Sequence, residues 1–130
     1  MVGSLYLLDT NALLWALSQP KRLSRRARLA VESGKPKVSV ASYWEVVIKV
    51  GKGKLPIPDP VAWWERVSEL AGEDRILPIR SRHISALINL ADLHHDPFDR
   101  ILIAQARAES LILVTPDSDI ARYSVPVLWI

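Results

Sequence analysis

The sequence predicts a three-layer α/β/α sandwich with a mainly parallel central sheet, formed as one domain over residues 1–130. Short apolar runs of strand length alternate with segments of helical periodicity along the chain. Parallel neighbours need crossover connections of helical length, so helices should cover both faces of such a sheet. A chain of 130 residues has the size of one hydrophobic core, and a single domain is therefore expected.

The first half of the chain is expected to hold two strands and three helices. The strands are short and almost wholly apolar, which is typical of strands buried on both faces of a sheet. Gly34 is placed to end the second helix, and Gly51 and Gly53 follow the third. In order, the predicted elements are a strand at 4–8, a helix at 11–17, a helix at 24–33, a strand at 38–41 and a helix at 42–50.

The second half is expected to add three helices and three strands after a surface loop at 55–60, where prolines exclude regular structure. Pro60 begins the first of these helices, and Gly72 ends it. Pro78 restricts the next strand to an edge of the sheet, because proline cannot donate a ladder hydrogen bond. In order, the predicted elements are a helix at 61–71, a strand at 76–79, helices at 81–90 and from 97 onward, and strands at 111–114 and 125–129.

The composition narrows the possible chemistry. The chain has no cysteine, which excludes disulfides and thiolate metal sites and is typical of the reducing cytoplasm. Its first apolar run is too short to span a membrane and lacks the features of a leader, so a cytoplasmic protein without membrane contact is expected. The net charge of +3 is compatible with a polyanionic partner. The basic residues include two clusters, Lys21, Arg22, Arg25, Arg26 and Arg28, and Lys49, Lys52 and Lys54.

Four acidic residues map to the carboxyl edge of the predicted sheet, where ligands bind in folds of this type. Asp9 ends the first strand, and Glu45 is expected in the first turn of the helix that follows the second strand. Asp99 is expected in the first turn of the last helix, and Asp117 follows the strand after it. The topology can therefore gather four residues that are far apart in the sequence.

Helix capping is the alternative explanation for each acid taken alone. Asp9 can cap the first helix, and Ser42 with Glu45 matches a capping box whose carboxylate reaches back to the backbone. Asp99 follows Asp96 in a first helical turn, where an acid also interacts favourably with the helix dipole. Capping does not account for four acids at one edge, where carboxylates repel one another unless a cation lies between them.

Magnesium or manganese suits such oxygen ligands, because both ions accept carboxylates and retain several waters. A metal of this kind, when bridged to a phosphodiester, activates a water and neutralises charge on the leaving oxygen. The basic clusters would supply sequence-independent contacts to a nucleic-acid backbone. The residues alone thus indicate an Mg- or Mn-dependent nuclease, with a phosphatase that uses Asp9 as nucleophile or a non-catalytic RNA- or protein-binding module as alternatives.

Other candidate motifs are weaker. His83, His94 and His95 lack the spacing of a helical zinc pair. The Gly-Lys-Gly-Lys stretch after the third helix does not match a phosphate-binding loop, and the sequence has no nucleophile elbow of a serine hydrolase. The five tryptophans are expected in the core or at a partner interface, although the adjacent Trp63 and Trp64 cannot both face one core.

The four acids stand in four recurrent stretches of sequence. These are Leu7-Leu8-Asp9-Thr10-Asn11-Ala12-Leu13-Leu14-Trp15, then Ser42-Tyr43-Trp44-Glu45, then His95-Asp96-Pro97-Phe98-Asp99-Arg100 with Ala104-Gln105-Ala106, and finally Leu113-Val114-Thr115-Pro116-Asp117. In order and spacing they resemble the motifs of VapC-type PIN-domain toxins, and the likeness covers nearly the whole chain.

This resemblance implies an Mg- or Mn-dependent endoribonuclease that is the toxin of a type II toxin–antitoxin system. It also implies a VapB-like antitoxin whose tail blocks the site, and a homodimer, since family members commonly dimerise. Asp9, Glu45, Asp99 and Asp117 correspond by position to the family's four acidic residues, which are catalytic and hold the metal. The RNA that is cut and the number of metal ions are not fixed by the sequence.

The same resemblance implies supporting roles for polar residues next to the four acids. Thr10, Asn11 and Thr115 are expected to orient the acids rather than to bind metal. Asp117 is preferred to Asp119 because it matches the family's Thr-x-Asp pattern, and Asp96 is expected to cap the helix that begins at the next residue.

Overall fold

The computed structural model describes residues 5–33, 35–91, 96–117, 120, 123 and 126–129. In this part of the chain, five strands form one sheet with the order β3-β2-β1-β4-β5. Each strand runs parallel to its neighbours. The strands are β1 (Tyr6–Leu8), β2 (Lys37–Ser39), β3 (Ile76–Leu77), β4 (Ile112–Thr115) and β5 (Val127–Trp129).

Six α-helices of the described residues connect these strands. They are α1 (Thr10–Ser18), α2 (Arg25–Ser33), α3 (Val40–Gly51), α4 (Pro60–Ala71), α5 (Ser81–Ala86) and α6 (Pro97–Ala108). Short 3₁₀ turns occur at Pro20–Arg22, Glu73–Arg75 and Leu87–Asn89. None of the helices in the described ranges is long and apolar enough to cross a membrane.

Hydrophobic clusters lie on both faces of the sheet, because successive strand residues point to opposite sides. Leu7 and Leu113 are buried with residues of α6, such as Leu102. Leu8 and Val114, their chain neighbours, are buried with residues of α1, α2 and α4. The predicted three-layer α/β/α sandwich with a parallel sheet is confirmed.

The boundary between β2 and α3 differs from the predicted one. The strand ends at Ser39 and the helix begins at Val40, whereas the apolar run at 38–41 predicts a strand throughout. Ser39 caps the helix, since its hydroxyl accepts a hydrogen bond from the N–H of Ala41 at 3.0 Å. Glu45 is therefore the sixth residue of α3, and the prediction that it lies in the first turn of a helix begun at Ser42 is wrong.

Most other predicted elements are confirmed with small shifts of their ends. Asp59 caps α4, and Gly72 ends it with a φ of +87°, a conformation that glycine adopts without strain. β3 is an edge strand of two residues that stops before Pro78. The helix predicted at 81–90 is divided into α5 and a 3₁₀ turn. Gly34 lies outside the described residues, as do positions 4 and 125 at the predicted starts of two strands.

Candidate functional site

Asp9 forms the single-residue junction between β1 and α1, at the carboxyl end of a central strand. Its backbone N–H donates to the carbonyl oxygen of Val114 at 3.0 Å, which ties the junction to β4. Its Oδ1 accepts a hydrogen bond from the N–H of Ala12 at 2.7 Å, so Asp9 caps α1 as the capping explanation expects. Its Oδ2 accepts a second hydrogen bond, from the hydroxyl of Thr115 at 2.5 Å. Both carboxylate oxygens are therefore held in place, one by each neighbouring element.

The surroundings of Asp9 disfavour its negative charge. Burial raises the pKa of Asp9, while the hydrogen bonds from Thr115 and Ala12 lower it, and the charges of Glu45 and Asp117 raise it again, so that it reaches about 6. A carboxylate that serves only as a helix cap would have its pKa lowered by the hydrogen bonds it accepts. Asp9 thus lies in a buried acidic environment to which the carboxylates of Glu45 and Asp117 contribute.

Glu45 lies on α3 and is almost completely buried, with 4% of its surface exposed. Its Oε2 is 2.6 Å from the ammonium Nζ of Lys49, one helical turn further along. Its Oε1 is buried and has no hydrogen-bond partner among the described residues. The hydroxyl of Ser42 forms a hydrogen bond with the hydroxyl of Thr10 at 3.0 Å. Ser42 and Glu45 therefore do not form the predicted capping box. The capping explanation for Glu45 is therefore excluded.

Asp99 is the third residue of α6 and is half-buried. Asp96 caps this helix as predicted, because its Oδ1 accepts hydrogen bonds from the N–H groups of Phe98 at 2.8 Å and Asp99 at 3.2 Å. The start of α6 lies near Lys49. Burial lowers the pKa of Lys49, but its hydrogen bond to Glu45 and the charges of Glu45, Asp96 and Asp99 outweigh that effect and raise it.

Asp117 follows β4 and is half-buried. Its backbone N–H donates to the hydroxyl oxygen of Thr115 at 3.0 Å, while the same hydroxyl donates to Asp9. Thr115 therefore orients Asp9 and Asp117 together, which fits the supporting role expected of it. Thr10 is likewise buried, whereas Asn11 is exposed. Asp119, the alternative to Asp117, lies outside the described residues, as do His94 and His95.

The four predicted acids are connected by pairwise interactions, directly or through Lys49, and we refer to Asp9, Glu45, Asp99 and Asp117 as the carboxylate site. Asp9 interacts electrostatically with Glu45 and Asp117, and Lys49 connects Glu45 to the start of α6. Within the described ranges, no three acidic or histidine side chains stand close enough together to hold a metal ion. Asp9 and Glu45 nevertheless offer the kind of donor that a hard cation prefers, because both are buried carboxylates and Oε1 of Glu45 has no described partner.

The role of Lys49 in the structure differs from the one predicted from the sequence. Lys49 was grouped with Lys52 and Lys54 as a contact for a nucleic-acid backbone, but only Lys49 forms a described ion pair with Glu45. The spacing of four residues on a helix is the signal that could have revealed it, since such residues are neighbours on one helical face.

The tryptophans occupy different environments. Trp63 and Trp64 are both half-buried against the cluster that contains Leu8, and Trp64 stacks on Tyr43 with ring centroids 4.9 Å apart. Trp44 is 55% exposed and meets Phe98 edge to face. The prediction that these two adjacent residues cannot both face one core is therefore wrong, because each presents only part of its ring to the shared cluster.

Comparison with known proteins agrees with the motif resemblance. Ribonuclease VapC22 of Mycobacterium tuberculosis is 27% identical over 122 residues, which are 92% of each chain. Among solved structures, DNA-bound VapBC from Salmonella typhimurium matches with a TM-score of 0.71 at 18% identity, over 98% of both chains. A toxin–antitoxin complex from Klebsiella pneumoniae matches with a TM-score of 0.61 at 24% identity, over 95% of both chains. At these identities, the two structural matches establish the fold.

A model of the PIN domain matches residues 6–126, from the start of β1 to the residue before β5. This range contains all four acids of the carboxylate site. The family predicted from the sequence motifs is confirmed, and the chain belongs to the PIN domain family.

Proposed function

We propose that this chain is a VapC-type endoribonuclease that depends on Mg or Mn and is the toxin of a toxin–antitoxin pair. The observation that carries the proposal is the burial of Glu45 near Asp9, with an oxygen of Glu45 that has no described hydrogen-bond partner. Two neighbouring buried acids cost free energy unless a cation compensates them. The similarity to a protein named Ribonuclease VapC22 and the PIN domain match over 6–126 support a single domain with this activity.

Asp9, Glu45, Asp99 and Asp117 are the residues that would hold the cation and act in catalysis. When bound, Mg or Mn supplies a Lewis acid that activates water and neutralises charge at the scissile phosphate. Thr115 and the N–H of Ala12 each donate one hydrogen bond to Asp9, so each of its oxygens keeps a lone pair for a ligand. Because these two donors are buried, they hold Asp9 in one orientation before substrate arrives.

RNA would be bound through its phosphates. The basic cluster around the start of α2 is exposed, which allows contacts that do not depend on base sequence. The guanidinium of Arg22 lies 3.8 Å from the centroid of the Trp15 ring, so this part of the cluster is held in a defined position. The remaining exposed members are Lys21, Arg25, Arg26 and Arg28.

A VapB-like antitoxin is the proposed protein partner, in the cytoplasm. The solved structures to which the chain is similar include VapBC and a complex described as toxin–antitoxin. A homodimer of this chain is proposed with it, since exposed apolar residues on α3 and α5, such as Trp44 and Ile84, offer surface for association.

The test is cleavage of single-stranded RNA by the purified full chain with Mg or Mn, compared with chelator. Asp9→Asn and Asp99→Asn should each lower the rate at least about 100-fold, because each removes a charge that binds the cation. The matched control is Asp59→Asn, which changes another helix-capping aspartate at the exposed start of α4 and should leave the rate unchanged.

Three results would contradict the proposed nuclease activity. Full activity in both Asp9→Asn and Asp99→Asn would exclude the carboxylate site as the catalytic centre. Binding of RNA without cleavage, together with no binding of Mn²⁺ by calorimetry, would favour a non-catalytic PIN-like module. A covalent phosphate on Asp9, detected by mass, with no cleavage of polymers would favour a phosphatase.

A further inference from the structure

Lys49 occupies the carboxylate site without being one of its predicted residues. Its Nζ lies 2.6 Å from Oε2 of Glu45, and the charges of Asp96 and Asp99 also act on it. Lys52, three residues later at the end of α3, is exposed. The ammonium of Lys49 is therefore the positive charge that compensates Glu45 within the described part of the chain.

An ordinary ion pair of this spacing on a helix surface contributes little to stability, because both charges are solvated. The pair of Lys49 and Glu45 differs, since the Glu45 side chain is 5% exposed while that of Lys49 is 38% exposed. A buried carboxylate without a counter-charge is costly, so Glu45 needs a cation in the folded protein both with and without metal. Lys49 supplies this positive charge from the solvent-exposed side of the site, because its ammonium lies at the end of a flexible side chain.

We propose that Lys49 is the internal counter-ion of the carboxylate site and competes with the divalent metal for Glu45. This inference rests on the proposed function, because it assumes that Glu45 is a metal ligand. An ammonium 2.6 Å from Oε2 occupies that oxygen, and its charge repels a metal ion that approaches the unpartnered Oε1 of the same carboxylate. A metal that binds Glu45 must therefore either lie close to the ammonium of Lys49 or displace it into solvent, and either event lowers metal affinity and raises the metal concentration at which the site loads.

The first test is Mn²⁺ binding to the metal-free full chain by calorimetry. Lys49→Met keeps the length of the side chain but removes its charge, and should tighten Mn²⁺ binding roughly tenfold, the effect of removing one competing charge near the site. Lys52→Met is the matched control with the same change in net charge, and should alter Mn²⁺ affinity less than about twofold, because its exposed charge is screened. Lys49→Arg keeps a cation and should bind Mn²⁺ as the wild type does.

The second test asks whether the effect acts through Glu45. In a Glu45→Gln background, adding Lys49→Met should no longer tighten Mn²⁺ binding, because residue 45 no longer carries the carboxylate for which Lys49 and the metal compete. A stability measurement gives an independent readout. Lys49→Met should unfold at a lower temperature than the wild type in chelator, and the difference should disappear at saturating Mn²⁺, which then serves as the counter-ion.

The outcomes separate the two proposals. Equal Mn²⁺ affinity in wild type and Lys49→Met, or an equal gain in Lys52→Met, would overturn the role of Lys49 and leave the nuclease proposal intact. Absence of Mn²⁺ binding in both the wild type and Lys49→Met would overturn the metal site itself, and the inference with it. Should Lys49→Met not fold in chelator, Lys49→Gln is titrated in its place, with the same gain in affinity expected and the same overturning result.

Discussion

Two polar clusters of opposite character are buried in the described part of the molecule. In the carboxylate site, Asp9 and Glu45 lie near each other, and an oxygen of Glu45 has no described hydrogen-bond partner. The second cluster, which we call the polar network, extends from the end of β2 along α6 and pairs donors with acceptors. Its members are Ser39, Gln105, His83 and Glu109.

The polar network connects four elements through the side chain of Gln105, which is fully buried. Its Oε1 accepts a hydrogen bond from the hydroxyl of Ser39 at 2.6 Å, and its Nε2 donates to the carbonyl oxygen of Pro78 at 3.2 Å. His83 accepts the backbone N–H of Arg80 at Nδ1, which leaves Nε2 to donate to Glu109 at 2.9 Å. Each buried polar side chain of the polar network therefore has a described hydrogen-bond partner.

The difference between the clusters shows how each contributes to the protein. A satisfied network stabilises the fold and fixes the relative positions of α3 and α6, which carry Glu45 and Asp99. The carboxylate site gathers like charges, which destabilises the folded state but creates affinity for a cation. Substitutions in the two clusters should thus have opposite effects on the metal-free protein.

The largest expected effect is the loss of stability on breaking the polar network. Gln105→Leu removes the partners of Ser39 and Pro78 while filling a similar volume, and should lower the free energy of unfolding by about 2–4 kcal/mol. Urea unfolding at pH 7 in chelator measures this change. Gln19→Leu, at the exposed end of α1, is the control and should change stability by less than about 0.5 kcal/mol. A similarly small change in Gln105→Leu would remove the proposed contrast between the clusters.

A gain in stability is expected from the opposite change in the carboxylate site. Asp9 has its pKa raised to about 6 in the folded state, so the ionised form opposes folding above that pH, and the penalty disappears below the unfolded value of 3.8. Asp9→Asn should therefore stabilise the metal-free protein at pH 7 by about 1–3 kcal/mol, with the gain vanishing as the pH falls to about 4. Urea unfolding of both proteins across this pH range is the measurement. Asp59→Asn should show no gain, and a loss of stability in Asp9→Asn at pH 7 would mean that its capping role dominates.

A smaller effect with the reverse pH dependence is expected at Glu109. The hydrogen bond from His83 lowers the pKa of Glu109, burial opposes the change, and the charge of Arg82 lowers the pKa further. Its ionised form therefore stabilises the fold above the ordinary pKa of 4.5, and this contribution is lost as the pH falls through the lowered value. Glu109→Gln should lower the free energy of unfolding by at most about 1 kcal/mol at pH 7, since the ion pair of Arg82 and Glu109 is partly solvated. In acid, the stability of the variant should approach that of the wild type. The same cost at every pH would assign the effect to packing alone.

The sequence located the carboxylate site better than it located the polar network. Asp9 and Asp117 follow apolar strands, and Asp96 with Pro97 forms a recognisable helix start, so their positions follow from local patterns. His83 and Glu109 are 26 residues apart and share no local pattern, so only the packing of α5 against α6 brings them together. The start of α3 was misplaced because Val40 and Ala41 suit a strand as well as a helix, and the capping by Ser39 decides between them.

Asp9 is the single residue between β1 and α1, so the length of this connection cannot vary without moving one of the two elements. Its backbone is bonded to β4 and its side chain to the first turn of α1, so an inserted residue would displace the carboxylate and the helix together. The loop between α3 and α4 has no such constraint, since it is exposed along much of its length and contains two prolines, Pro56 and Pro58. Affinity tags or reporter segments placed inside the chain therefore belong in that loop, where the chain length can vary without moving an acid of the site.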